Sequence, residues 1–599
     1  MSSLAHFKDR QEAINAFNRL WDAPQPWILA FTGFSGQGKT TLLEYLEIKR
    51  CQEQNIPYAR IGLSGFSTQI RDAFHHLLEV NTSSLRTHLP AKNLKRYQKE
   101  RRAALEDRNR RHLALTQHQE MRGSAAGEQS MSANLAEAYK EMERQVDDLI
   151  FDAWLDCMEA LKSTERVVFL LDDYDLFQNQ TDVEDLERFW GLLERARGRL
   201  PGLRITLASR EKLRHTDRIY PLQNGMQSDD LQPLAPEDSD ALLRSMHVND
   251  AAYRQAVYQR LAQGHPLVTR MAAEAWLEAD GGIAAAEVPR LSGLDAAVEW
   301  VQGRILERLD QPLKQAARWA ALLRWFDAET LNAVLPTPLS EGDFPALRQR
   351  AFVGPSRVRE EKWACHDLVR RVQSGYLQRE RPQAWRDFHQ RAQQYFQAQN
   401  EPLEALYHHF FSTPAQAFEQ WSKKESSAAF EFNHETWAAL IEIGLAPELP
   451  LEDRDWAKVR YRAGRRHYYR AEWDAALERY AQALERFNAI GDRLGQANVS
   501  LSLGELYFLQ EDAQAQQRGA AHLDRALALY REIGERVGQT NVHSFRARVL
   551  AHRGRPTAAL ESARQALDLA LSFAPEHSAT QNLAAFVQDL ENQIEAENR

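Results

Sequence analysis

The sequence predicts a multidomain chain that opens with a parallel α/β sheet domain and ends in an all-helical solenoid. Three observations predict it. Trp27 to Phe31 is a short apolar run that leads into Gly33-Phe34-Ser35-Gly36-Gln37-Gly38-Lys39-Thr40, and Thr41 to Leu46 then opens a helix. Arg166-Val167-Val168-Phe169-Leu170-Leu171 is a second apolar run, and it ends in Asp172-Asp173. The C-terminal third has no strand-like alternation, and its segments recur at a fixed offset. With 599 residues the chain is too long for one core.

The first stretch has the form G-x-x-x-x-G-K-[ST] in the strand–turn–helix setting that the pattern requires. Such a turn points backbone N–H groups and the positive end of a helix dipole at an anion. Gly33, Gly36 and Gly38 let the backbone curl where a Cβ would obstruct, and Phe34, Ser35, Gln37 and Thr41 complete the cradle. Lys39 would reach the β- and γ-phosphates, and the Thr40 hydroxyl would sit on Mg²⁺.

Bulk properties narrow the class. Hydrophobic residues are 43% and charged residues 27% of the chain, as in soluble globular proteins, and the net charge is −9. That balance argues against a protein coated in nucleic acid, though a local basic patch fits it. Cys51, Cys157 and Cys365 are scattered and odd in number, which predicts a reducing compartment without a disulfide framework or metal knuckle. The N-terminus has no apolar signal core and no run of 18 apolar residues occurs, so a cytoplasmic protein with no membrane partner is expected.

In chain order, Ile14, Phe17 and Leu20 have helical spacing ahead of the first strand, and Ile56 to Leu63 reads as a second parallel strand. Residues 85–146 change character. Lys92 to Arg111 holds nine basic residues against three acidic ones, followed by a soft segment from Gly123 to Gly127 and an acidic helical stretch. A nucleic-acid contact is one reading. A solvated helical hairpin is favoured, because Tyr97 is the sole aromatic between Lys92 and Arg111 and no stacking platform is formed. The aspartates after Leu171 are weak evidence alone and strong evidence beside the glycine-rich loop. Asp172 would hold Mg²⁺ and Asp173 would orient or deprotonate an attacking water. Leu203 to Ser209 is a further strand, and Arg210 at its end would read a γ-phosphate as a bidentate fork.

The order Phe7-Lys8-Asp9-Arg10, glycine-rich loop, Leu170-Leu171-Asp172-Asp173-Tyr174-Asp175 and Thr206-Leu207-Ala208-Ser209-Arg210 resembles the STAND class of signalling NTPases, which includes NB-ARC, NACHT and MalT-like switches. Leu231-Gln232-Pro233-Leu234 resembles the start of their helical subdomain, Gly264-His265-Pro266-Leu267 their G-x-P motif, and Trp363-Ala364-Cys365-His366-Asp367 their M-H-D motif. The resemblance implies that Arg10 joins the nucleotide site, that Pro266 packs beside adenine and that His366 contacts the ADP β-phosphate. Cys365 stands where methionine is usual, and no glycine precedes Arg10. The implied domains are a P-loop nucleotide domain over 1–225 with the insertion at about 85–146, a helical subdomain over 226–295 and a winged helix over 296–395.

Residues 396–599 resemble tetratricopeptide repeats. Ala489-Ile490-Gly491-Asp492-Arg493-Leu494-Gly495 recurs as Glu532-Ile533-Gly534-Glu535-Arg536-Val537-Gly538, an offset of 43, and Ala475 to Leu484 recurs from Ala558 at an offset of 83. Tyr468, Tyr469, Trp473, Tyr480 and Phe487 form a candidate ligand groove, with about half of them expected in the repeat core by spacing. The resemblance implies an ATP/ADP switch that rests with ADP bound, senses a protein or peptide trigger on its repeats, self-associates with ATP and activates a separate effector protein. Slow hydrolysis would reset it, and anti-phage defence or transcriptional control are the implied settings. An AAA-type remodelling ATPase with a repeat adaptor and a nucleotide-stabilised scaffold are the alternatives.

Overall fold

The computed structural model describes residues 10–22, 25–63, 70–79, 82–121, 128–164, 166–181, 183–213, 225–356, 359, 361–430, 433–470, 472–509 and 513–597. Phe7-Lys8-Asp9 and the soft Gly123 to Gly127 segment lie outside these residues. Two compact units are present, one of Met1–Gln98 with Phe151–Thr413, the other of Lys99–Ile150 with Pro414–Arg599.

The first unit is built on a five-stranded sheet of order β2-β3-β4-β1-β5, with every neighbouring pair parallel. β1 (Ile28–Thr32), β3 (Val167–Asp172) and β4 (Leu203–Ser209) are buried at every position, which is why they read as continuous apolar runs. β2 (Tyr58–Gly62) has the same character in part. β5 (Met226–Asp230) is an unexpected strand. Its sequence, Met-Gln-Ser-Asp-Asp, is polar and half exposed, and it forms the sheet edge beside β1. Around the sheet lie α1 (Gln11–Asp22), α2 (Lys39–Leu46), α3 (Ile70–Glu79), α4 (Leu85–His88), α7 (Tyr174–Gln180) and α8 (Val183–Arg199). Phe17, Leu20, Leu29, Phe31, Leu42 and Leu170 pack α1 and α2 onto the sheet. The charged insertion at about 85–146 falls on α4, α5 (Ala91–Met121) and most of α6 (Glu128–Met158); its residues 99–146 belong to the second unit, where Arg108 donates to Glu143 at 2.6 Å.

A second module follows with α9 (Pro236–Ser245), α10 (Ala251–Ala256) and α11 (Pro266–Glu278). The third holds α12 (Leu294–Arg308), α13 (Leu313–Trp319), α14 (Ala328–Val334) and α15 (Asp343–Arg348). An antiparallel pair, β6 (Val353–Pro355) with β7 (Trp363–Cys365), precedes α16 (Asp367–Glu380), α17 (Pro382–Ala398) and α18 (Pro402–Ser412).

The second unit contains α19 (Pro414–Phe430) and α20 (His434–Leu445), then helix pairs α21 (Asp453–Tyr469) with α22 (Trp473–Ile490), α23 (Arg493–Phe508) with α24 (Ala513–Ile533), and α25 (Arg536–His552) with α26 (Pro556–Leu571), closed by α27 (Ser578–Glu597). Glycines set the close crossings: a Cβ on Gly464 would come 2.6 Å from the Tyr480 ring, and one on Gly504 would come 2.6 Å from Leu523. Tyr468, Tyr480 and Phe487 belong to the core of the first of these pairs, while Tyr469 and Trp473 are partly buried against it. Among the described residues no helix is long and apolar enough to cross a membrane.

Candidate functional site

The loop after β1 turns on three glycines in positive φ: Gly33 at 144°, Gly36 at 82° and Gly38 at 86°. Gly38 is the N-cap of α2, so Lys39, Thr40 and Thr41 form the helix's first turn with its N–H groups facing the loop. Lys39 is 8% exposed, and its ammonium donates to the carbonyls of Gly33 at 2.5 Å and Phe34 at 2.9 Å. The amine therefore lies under the loop that it would share with a phosphate. Phe34 is 76% exposed at the loop tip, whereas Gln37 is buried. Arg10 donates to the Gln37 carbonyl at 2.7 Å and the Gln232 carbonyl at 2.5 Å, and so ties the loop to the segment leaving β5.

The second module reaches the same loop. His265 Nε2 donates to the Ser35 carbonyl at 2.8 Å, and its Nδ1 accepts from the Val268 N–H as the N-cap of α11. A Cβ on Gly36 would lie 2.4 Å from His265 Cε1 and 3.3 Å from Leu267 Cβ, so glycine is needed for the fit as well as for the turn. Pro266 sits between these two contacts as the first residue of α11, where its missing N–H costs nothing. Burial pulls the His265 pKa below the usual imidazole range, opposed by the Ser35 carbonyl and reinforced by the Lys39 ammonium. Sequence alone assigns Pro266, and not His265, to the site. A histidine directly before a helix-opening proline was the available signal, since that position needs a side-chain acceptor.

Asp172 ends β3, and its Oδ1 accepts the Asp173 N–H at 2.9 Å. Asp173 is 4% exposed, has φ 55° and caps α7. Its Oδ2 lies beside the end of β2, 3.6 Å from where a Gly62 Cβ would be. β4 runs between β3 and β1, so Arg210 at its end stands between the aspartates and the loop. Asp175, to which the sequence assigns no role, takes the Arg210 N–H at 2.8 Å and its Nε at 2.6 Å. The third module approaches here, with Asp367 3.9 Å from Arg210 NH1. His366 itself caps α16, with Nδ1 accepting the Leu368 N–H at 3.2 Å. The second and third modules are joined through Glu274, which takes Arg350 NH1 at 3.0 Å and the Ala351 N–H at 2.8 Å.

The donor set fits a polyphosphate with Mg²⁺. A glycine cradle, a helix N-terminus and a buried ammonium come together at the loop, with the Thr40 hydroxyl in the first turn of α2 and the Asp172 carboxylate at the end of β3 as hard oxygen donors. Among the described residues no cluster of three or more His, Cys, Asp or Glu could hold a metal ion.

No protein-family model matches the chain, and no curated protein matches it. Among solved structures, a STAND (signal transduction ATPase with numerous domains) protein with a tetratricopeptide-repeat sensor from Pyrococcus horikoshii aligns at 13% identity and a TM-score of 0.40, over 98% of this chain and 80% of that one. A Walker-type ATPase of Pyrococcus abyssi aligns at 14% identity and a TM-score of 0.29, over 61% of this chain and 96% of that one. At such scores neither superposition is close, and the functional reading rests on the site's own geometry.

Proposed function

We propose that the chain is a nucleotide-operated switch of the STAND class, resting with ADP and responding to a trigger bound by its helical pairs. The observation that carries this reading is the His265–Ser35 hydrogen bond of 2.8 Å, by which a separate module grips the backbone of the phosphate loop itself. A loop reshaped by phosphates would change that grip, and so nucleotide state and module position would be linked. Asp367 beside Arg210 joins the third module to the end of β4, and Glu274 beside Arg350 joins the second module to the third.

Lys39 would exchange its two loop carbonyls for β- and γ-phosphate oxygens. Thr40 and Asp172 would hold Mg²⁺, which supplies charge neutralisation when bound. Asp173 would orient water for slow hydrolysis, with Lys39 and Arg210 steadying the developing charge. Arg10, Pro266 and His366 would complete the nucleotide contacts. The open form would self-associate and act on a separate effector, with anti-phage defence as one setting.

Size-exclusion chromatography with light scattering tests this. The parent is expected to be monomeric with ADP and larger with a non-hydrolysable ATP analogue plus trigger, while Lys39→Ala binds neither nucleotide and stays monomeric. Nucleotide affinity unchanged by Lys39→Ala would reject the site.

A further inference from the structure

Within the second unit, α21, α23 and α25 lie side by side, with α23 touching both neighbours. They carry Arg465, Glu505 and Arg548 at one repeat position, each directly after a small residue of the close crossing, Gly464, Gly504 and Ala547. The result is a row of alternating charge, one residue per helix pair. Its centre is anomalous. Glu505 is 7% exposed, yet among the described residues no donor reaches its Oε1 and no ion pair joins it to either arginine. Burial pushes its carboxyl up to about 7, with Arg548 and then Arg465 pulling the other way. Three polar groups nearby are engaged elsewhere: Tyr530 donates to Asn498 at 2.7 Å, Tyr461 meets Ser502 at 3.4 Å and Arg548 reaches the Ser544 hydroxyl at 3.0 Å. A buried carboxylate short of donors loses free energy that an incoming cation would restore.

The spacing of the row selects the shape of what restores it. Packed helices stand about 8–10 Å apart. A β-strand turns residues i and i+3 to opposite faces, whereas a polyproline-II helix returns to the same edge every three residues, about 9 Å. We propose that this row binds an extended polyproline-II segment of a partner protein with the pattern acidic-x-x-basic-x-x-acidic, its basic side chain on Glu505 and its acidic side chains on Arg465 and Arg548. The inference deepens the proposed sensor and rests on that reading for its consequence, though not for the binding itself.

The test titrates two blocked peptides, Glu-Pro-Pro-Lys-Pro-Pro-Glu and its charge reversal Lys-Pro-Pro-Glu-Pro-Pro-Lys, into the full ADP-loaded chain by calorimetry. The first is expected to bind at least about tenfold tighter than the second, and Glu505→Gln to remove at least about tenfold of its affinity. Arg548→Gln, which leaves the buried centre intact, tests the flank if Glu505→Gln fails to fold, and is expected to weaken the first peptide alone. Equal binding of the two peptides, no binding at millimolar concentration, or affinity untouched by either variant overturns the proposal. ADP release is followed in the same titration. Binding without release supports the row and counts against the sensor reading alone.

Discussion

Gly36 is the residue at which turn geometry and module contact meet. Its φ of 82° costs an L-residue about 1–2 kcal/mol, and any Cβ there would strike His265 and Leu267. Gly36→Ala is therefore expected to lose the strain energy plus an overpacking term, together about 2–5 kcal/mol, and to weaken ADP binding. His265→Ala in the same chain should recover the overpacking part and leave the strain. Thermal melts and ADP titrations of the two single variants and the double variant separate the terms, and additivity would show that the two residues do not meet. What was legible here was the loop, because its glycines and Lys39 are a contiguous pattern with a physical reason. His265 and Asp175 were not, because each acts through a partner far away in sequence, Ser35 in one case and Arg210 in the other.

Elements were legible in proportion to how much apolar surface they bury. β1, β3 and β4 are buried along their whole length and announce themselves, while β5 is recruited to the edge by backbone pairing with β1 and leaves no apolar trace. The repeated Ile-Gly-Asp/Glu-Arg turns show the opposite case, in which composition and structure agree residue by residue. Asp492 and Glu535 cap α23 and α25 by accepting from Gly495 and Gly538, and those glycines lie flat against the rings of Phe487 and Tyr530. A Cβ on Gly538 would sit 2.3 Å from Tyr530 Cε1, and that ring is held by its bond to Asn498. Gly534, at φ 72°, has nothing within 4 Å. Gly534→Ala is expected to cost about 1 kcal/mol by backbone strain. Gly538→Ala is expected to cost about 1–3 kcal/mol by overpacking, although its backbone is ordinary helix. Denaturant melts rank the two, and the reverse order would mean that the Tyr530 ring yields freely.

In the unit that carries the sheet, three modules contact one another pairwise: His265 on Ser35, Asp367 on Arg210, and Glu274 on Arg350 and Ala351. The third contact is the deepest, since Arg350 and Glu274 are only 11% and 12% exposed. Burial raises the Glu274 pKa, while Arg350 and the Ala351 N–H pull it down, so the carboxylate depends on those partners to stay charged. Removing one member of such a pair strands the other, which costs about 3–5 kcal/mol, whereas an exposed pair is worth about 0–1 kcal/mol. If the ring of contacts holds ADP in place, Glu274→Ala should release a fluorescent ADP analogue at least about tenfold faster in stopped-flow measurements without touching the phosphate loop. Arg371→Ala, which breaks the Asp295 pair between residues 67% and 60% exposed, should release it at the parental rate. Parental release from Glu274→Ala would mean that the second and third modules are joined for stability alone, and the coupling would then have to run through Arg210 and Asp367.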